Sequence, residues 1–494
     1  MGSFFSFKRS FMNKLTKIVA TIGPSSEDPE MLRTLLLSGV DVVRFNLKHN
    51  EIPWHASLID TVKKIAKEEE LSIGTLVDLQ GPEVRTRVFV NDGQIPLKIG
   101  DKVILSSEKE PKSQNTFTVT QPEVLGYLEK EQKVVVDDGR LHFIVDTPGK
   151  NKVTLISLSD GVLKNRKTMN VPGALFPLKV LNEKDIEAIE MAAIHHVDYI
   201  ALSFVRTAED VLTLKKMMEE KGVDARVISK IETQSALDNI DEIVAASEGI
   251  MVARGDLGVE IPMEQVPFYQ KEIIKKCLER GIPVITATQM LHSMIDRSYP
   301  TRAEVSDIAN AAYDFTDAVM LSEETAAGKY PLEAVKTQAQ TVAFSEKRVA
   351  ITDTRSLYDY LIRGCEEMLC DSAYNMVLQL HYQDQPIGGF IVFTQTGRTA
   401  RKLSRYRPKY PIYVFAPDKK VRDQLALNFG TYAFLQPKIF KENTSVRMPQ
   451  MTDAIEFLRK RGLVEPDKHY ILLYGDSWMV AGGTSTIKII PPQE

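Results

Sequence analysis

At 494 residues the chain is longer than one hydrophobic core supports, so about two to four domains are expected. Its 43% hydrophobic and 26% charged residues are those of a soluble globular protein, and a net charge of −4 with both signs mixed along the chain argues against nucleic-acid or membrane-surface binding. Cys277, Cys365 and Cys370 form no Cys-x-x-Cys pair, so neither a zinc site nor a disulfide framework is indicated, and reduced thiols in a cytoplasmic protein are expected.

Residues 1–13 lack the apolar centre of a secretory signal and read as a tail. Gly2 and Ser6 have the spacing of an N-acylation signal, with Lys8 and Arg9 nearby, but the pattern is short and common, and a frayed tail is the expectation. No apolar run reaches membrane-spanning length. From Leu15 short apolar runs alternate with amphipathic helical stretches: LTKIVATIG, DVVRFNL, SIGTLVDL and, after a gap, DYIALSFV, ARVISKIE, GIMVARGD, PVITATQM and AVMLSEET. Strands alternating with helices predict a parallel sheet, and eight of them a closed (β/α)₈ TIM barrel over residues 14–81 and 172–345. Every run ends in polar residues, among them Thr21, Arg44, Asp78, Ser203, Lys230, Asp256, Thr288 and Glu324, where barrel enzymes place their chemistry. Residues 82–171 hold short β-type runs punctuated by NDG, DDG and PGKN, which predicts an inserted small β-barrel domain able to act as a lid. The alternation restarts over residues 346–494, a C-terminal α/β domain.

No Walker motif and no complete Gly-x-Gly-x-x-Gly is present. Lys230 and Glu232 stand two apart in ISKIE and share one face of a strand; taken alone, they fit a buried ion pair equally well. Arg254 and Asp256 stand two apart on the next predicted strand, beside Gly255 and Gly258, which let backbone approach a ligand. Glu232 and Asp256 suit a magnesium ion completed by substrate and water oxygens, and Lys230 beside it suits an enolate or a transferring phosphoryl group. Thr286 and Thr288 share a face on the following strand, and Thr288 reads either as a substrate or relay hydroxyl or as a satisfied barrel hydroxyl. Arg44, Asn46 and Lys48 alternate on one face of RFNLKHN, with Arg44 a fork for phosphate.

The motifs TKIVATIGPSS, DLQGPEVRT, ISKIE, MVARGDLGVE, ITATQML, PTRAEVSDIANA and VMLSEETAAGKYP, in this order and spacing, resemble the pyruvate kinase family from about Lys17 to the C-terminus. The resemblance implies a barrel with an inserted β lid and a C-terminal regulatory domain. It also implies phosphoryl transfer from phosphoenolpyruvate to ADP, giving pyruvate and ATP in glycolysis, with Mg2+ or Mn2+, in a homotetramer under allosteric control. By position, Lys230 would contact the transferring group, Arg44 the phosphate, Gly255 and Asp256 the substrate, and Glu232 with Asp256 the divalent ion. Thr288 would lie near the proton donor to the enolate. His49 and Arg85 would face the nucleotide, Lys167 would reach its phosphates from the lid, and Asp138 would approach on closure. No nucleic-acid or membrane partner is implied. A different phosphoenolpyruvate-using barrel and an inactive metabolite sensor are the rivals. The lid with Arg85 argues against the first, and the intact Arg44, Lys230, Glu232, Asp256 and Thr288 against the second.

The sequence departs from the family at its second strand, where Lys48 stands in place of a serine. The family's potassium position matches Asn46, Asp78 and Leu79 here. Leu79-Gln80 resembles the subfamily that needs no monovalent cation, although that subfamily carries a lysine where Glu83 stands. Lys48 reads either as an ammonium that fills the cation position, with Glu83 as its partner, so that potassium is not required, or as a side chain turned outward to water that leaves a weakened potassium site; the first is the expectation. Phe315, Glu323, His292 and Thr168 are further departures. In the C-terminal domain Thr394, Thr396, Gly397, Arg398 and Thr399 read either as a phosphate-binding turn for a sugar-phosphate or nucleotide effector or as a simple helix cap.

Overall fold

The computed structural model describes residues 14–90, 93–109, 113–174, 176–349, 353–360, 362, 364–436, 448–475 and 483–492. The tail with Gly2 lies outside them. Eight strands close a barrel: β1 (Lys17–Thr21), β2 (Val42–Asn46), β3 (Gly74–Asp78), β4 (Tyr199–Leu202), β5 (Arg226–Ile231), β6 (Gly249–Ala253), β7 (Val284–Ala287) and β8 (Ala318–Leu321). They follow one another in chain order around the barrel, all parallel, with β8 paired to β1.

Alternation decides what each strand sends inward. Val19, Val42, Leu76, Tyr199, Ala201, Ile228, Met251, Ile285, Ala287, Ala318 and Met320 form one buried interior cluster. Two residues further along the same parity stand Thr21, Arg44, Asp78, Ser203 and Lys230, so the interior turns from apolar to charged toward the carboxyl ends of the strands. The opposite parity packs against the helices in a separate and larger core that includes Ile18, Val43, Val77, Ile200, Val227 and Val252.

The chain leaves the barrel after β3. Strands Thr86–Phe89, Lys102–Ser106, Thr116–Val119, Lys133–Val136, Leu141–Thr147, Lys152–Ser157 and Met169–Asn170 form a seven-stranded barrel-like sheet, with Gln94–Leu97 and Gly161–Lys164 paired beside it. This lid has its own core around Phe117, Val134, Phe143 and Leu155. The C-terminal domain is a five-stranded sheet in the order Thr431–Leu435, Ile412–Ala416, Ile387–Phe393, His469–Gly475 and Thr484–Ile490, parallel except for the last strand. It closes the amino-terminal end of the barrel: Ala426 and Leu427 join the interior cluster. Lys17 Nζ donates to Thr431 O at 2.6 Å, and Phe429 N to Asp317 Oδ1 at 2.9 Å. Among the described residues no helix is long and apolar enough to cross a membrane.

Two local expectations are corrected. β6 ends at Ala253, and Arg254 and Asp256 lie in the short helix Arg254–Glu260, not on a strand. Thr286 and Thr288 do not share a face. Ile285 and Ala287 point inward, so Thr286 points outward and donates to Thr316 Oγ1 at 3.0 Å. β7 stops before Thr288, whose φ of +68° turns it back toward the mouth.

Candidate active site

Arg44 is held rigid at the mouth. Its Nε and Nη2 each lie 2.7 Å from Asp78 Oδ2, and its Nη1 donates to Thr21 Oγ1 at 2.8 Å. Lys230 reaches the same carboxylate from β5. Its Nζ is 2.8 Å from Ser203 Oγ, 2.7 Å from Glu232 Oε1 and 3.4 Å from Asp78 Oδ1, and the residue is 3% exposed. Burial lowers the ammonium's pKa, but Asp78, Glu232 and Asp256 more than offset it, so the net shift is upward and Lys230 is a permanent cation. For Asp78 burial opposes ionisation, and Lys230 and Arg44 overcome it and hold the carboxyl below its usual range. Glu232 is pushed up by burial, only partly countered by Lys230.

The residues present fit a divalent ion. Glu232 Oε2 accepts from Phe204 N at 2.6 Å, while buried Oε1 has no hydrogen bond of normal geometry despite its nearness to Lys230. Asp256, half-buried, makes no hydrogen bond to a described residue, and its charge acts on both Lys230 and Glu232. Two hard carboxylates suit magnesium, whose remaining ligands substrate and water oxygens would supply.

Thr288 Oγ1 accepts from Gly255 N at 2.8 Å and donates to Ala287 O at 2.6 Å, so Thr288, Gly255 and Asp256 meet at the start of one short helix. Arg254 is drawn away from the mouth. It donates to Ala287 O, Thr288 O and Asp307 Oδ1 at 3.1, 2.7 and 2.7 Å, and so buttresses the turn that carries Thr288.

Lys48 Nζ lies 3.3 Å from Glu83 Oε1 and 5.1 Å from the centre of the Phe204 ring, with its side chain 14% exposed. The oxygens of the expected potassium position already have partners. Asp78 serves Arg44, Ser203 and Lys230, Leu79 O accepts from Ser203 Oγ at 2.7 Å, and Asn46 Oδ1 accepts from Lys48 N at 3.2 Å. Glu83 also binds Arg85, through Nε at 2.8 Å and Nη2 at 3.0 Å. His49 is exposed, and partial desolvation together with Arg85, Lys48 and Arg44 lowers its pKa.

The lid residues face one another. Lys167 Nζ pairs with Asp137 Oδ1 at 2.7 Å, and Thr168 Oγ1 donates to Asp138 Oδ1 at 2.8 Å. In the C-terminal turn Gly397 (φ +76°) donates its N–H to Thr394 Oγ1 at 3.0 Å, and Thr396 O accepts from Arg401. Arg398 and Thr399 are both engaged by buried Glu366, at 2.7 Å each, and Thr399 also meets Thr484. Sequence reasoning missed Phe204, which shields Lys48 and binds Glu232, and Asp185, which accepts from Gln80 N and Gly81 N and fixes the loop after β3. The capping pattern of NEKD, residues 182–185, was the signal for Asp185.

The fold and this mouth define a class: a barrel enzyme whose carboxyl-terminal mouth holds fixed cations beside open carboxylates under an inserted lid. The family models "Pyruvate kinase, barrel domain" and "Pyruvate kinase, alpha/beta domain" match residues 13–335 and 367–490. A pyruvate kinase of Staphylococcus epidermidis is 38% identical over 481 residues, covering 96% of this chain and 80% of its own. One of Borreliella burgdorferi is 39% identical over 470 residues, covering 94% of each. The crystal structure of a pyruvate kinase from Cryptosporidium parvum superposes with a TM-score of 0.90 at 30% identity, over 98% of this chain and 97% of that one. The chain belongs to the pyruvate kinase family and is an enzyme of that activity.

Proposed function

We propose that the enzyme works in glycolysis, transferring the phosphoryl group of phosphoenolpyruvate to ADP without need of a monovalent cation. One observation carries the reading: a buried, permanently charged Lys230 ties Asp78 and Glu232 together at the mouth, beside the rigid fork of Arg44. Phosphoryl transfer needs position and charge neutralisation more than covalent help. Arg44 holds the phosphate and Lys230 the oxygens of the group in flight. Glu232 and Asp256 would hold Mg2+ or Mn2+, which when bound supplies further neutralisation of phosphoryl charge. ADP enters under the lid of residues 82–171 between His49, Arg85 and Lys167, with Asp138 swinging toward the site on closure. Transfer forms a bond from a terminal oxygen of the ADP β-phosphate to phosphorus and breaks the bond from phosphorus to the enol oxygen. The enolate then takes a proton from water at its methylene carbon, next to the Thr288 hydroxyl, and leaves as pyruvate.

The cation-free reading is supported by Lys48. Its ammonium pairs with Glu83 and its charge acts on Asp78, one of the three residues that match the family's potassium position, and the oxygens of that position already have partners. The enzyme is taken to be a cytoplasmic homotetramer. The turn of Thr394, Thr396, Gly397, Arg398 and Thr399 in the regulatory domain, residues 346–494, is taken as the place of a sugar-phosphate or nucleotide effector, whose anion would displace Glu366. The test is pyruvate formation from phosphoenolpyruvate and ADP with magnesium in tetramethylammonium buffer, with and without potassium. Full activity in both buffers is expected. Strong activation by potassium would remove the cation-free reading and keep the reaction; no turnover in either would count against both.

A further inference from the structure

The helix Arg254–Glu260 carries Asp256 in its first turn and Glu260 at its end, four residues on and so one turn away on the same side. Glu260 bonds to the lid. Its Oε1 accepts from Asn170 Nδ2 at 3.1 Å, and the Gly173 backbone amide also favours its charged form. Asn170 ends the last lid strand, Met169–Asn170, which pairs with Lys133–Val136 inside the lid. Met169 N donates to Val84 O at 2.8 Å, so the two segments by which the chain enters and leaves the lid are bonded to each other at this point. The lid also comes close to the helix at Gly139, where an added Cβ would stand 3.8 Å from Val259.

Beneath these strands lies a cavity of about 90 Å³. Val84, Met169 and Val171 line it from the lid side, and Phe204, Arg206 and Glu260 from the barrel. Such space lets a hinge rearrange without breaking a packed core. The exit segment is pinned on its far side by Arg206, which donates to Phe176 O at 2.7 Å and Leu178 O at 3.3 Å. Arg206 sits outside the helix with Asp256; Glu260 sits on it.

We propose that Glu260 is a positioning residue: its bond to Asn170 links the pose of the lid to the helix that presents Asp256. Movement of the lid over a nucleotide then turns the helix, and the Asp256 carboxylate and Gly255 amide move with it. The inference rests on the activity described above for its kinetic arm but not for its structural arm.

The test compares Asn170→Ala, Glu260→Ala and Glu260→Gln with wild type. Glutamine keeps the acceptor oxygen. Expected for both alanine variants are a KM for ADP raised about tenfold with a lower kcat, a KM for phosphoenolpyruvate within about twofold, and an unchanged Tm. Backbone hydrogen exchange over residues 169–174 should quicken in both alanine variants, and Glu260→Gln should match wild type in every readout. A glutamine variant as impaired as Glu260→Ala, or an Asn170→Ala variant equal to wild type in exchange and kinetics, overturns the proposal. An inert wild type would fault the assigned activity instead, and the exchange comparison would still decide the latch.

Discussion

Lys48 and Glu83 form an ion pair, Nζ to Oε1 at 3.3 Å, in which the lysine comes from the end of the second barrel strand and the glutamate from the entrance to the lid. The same glutamate grips Arg85 through two nitrogens. One carboxylate therefore orders both Lys48 and the cation expected to face the nucleotide. Lys48→Ser removes the resident charge. The variant should lose about tenfold or more in kcat/KM in tetramethylammonium and recover most of it with potassium, while wild type responds to neither exchange of cation. A wild type that needs potassium as much as the variant would refute the role of Lys48.

Lys230→Met should lower kcat by about 10³-fold or more, because the charge that meets the phosphoryl oxygens is gone. It also leaves the buried carboxylates Asp78 and Glu232 without their shared partner. A stability loss of about 3–5 kcal/mol is expected, recovered in part by the double variant Lys230→Met/Glu232→Gln. Calorimetry with a single-turnover assay separates the two effects. Substrate binding that survives in a folded, inactive variant would complete the case for chemistry at Lys230; equal turnover in wild type and variant would end it.

Asp198, at the start of the fourth strand, accepts from Thr75 N and Oγ1 at 2.8 and 2.7 Å, and burial followed by the nearby Asp423 pushes its pKa up to about 7. Lys63 opposes the shift only in part. A carboxyl with a raised folded pKa holds its proton more tightly folded than unfolded, so its contribution is fully present below the unfolded value and is lost as pH rises toward about 7. Tm should therefore fall between about pH 4 and 7 through this group. Asp198→Asn, which keeps the acceptor oxygen, should flatten that slope by about 2–4 °C in thermal scans. An unchanged slope would show that Asp198 ionises normally.

Glu366 fills the C-terminal turn with a carboxylate, bonded to Arg398 and Thr399. An effector phosphate bound at this turn would have to displace it. In Glu366→Gln a sugar phosphate should shift the phosphoenolpyruvate saturation curve at about tenfold lower concentration than in wild type, because the competing charge is gone. Curves that do not move in either protein would discard effector binding for the compound tested.

The barrel was legible from strand period alone. Interior parity along each run placed Arg44, Asp78 and Lys230 at one end of one cavity, and the alternation holds in the structure from Val42 to Asn46 and from Arg226 to Ile231. The Lys48–Glu83 pair was readable as well, since two opposite charges flank adjacent strand ends. Tertiary structure decided what lies one residue beyond a strand, where the period no longer applies. Phe204 and Thr288, at φ of +54° and +68°, turn their chains through left-handed backbone that no composition rule foretells. That bend points Thr288 at Gly255 and sets the Phe204 amide on Glu232. Arg254, of the same charge as Arg44, was claimed by Asp307 and the Ala287 and Thr288 carbonyls instead of by the mouth. The seating of Leu427 in the barrel floor and the capture of the Arg398 turn by Glu366 depend on contacts between residues far apart in the chain. A local pattern sets which face of an element is apolar; which surface meets that face is set by packing of the whole chain.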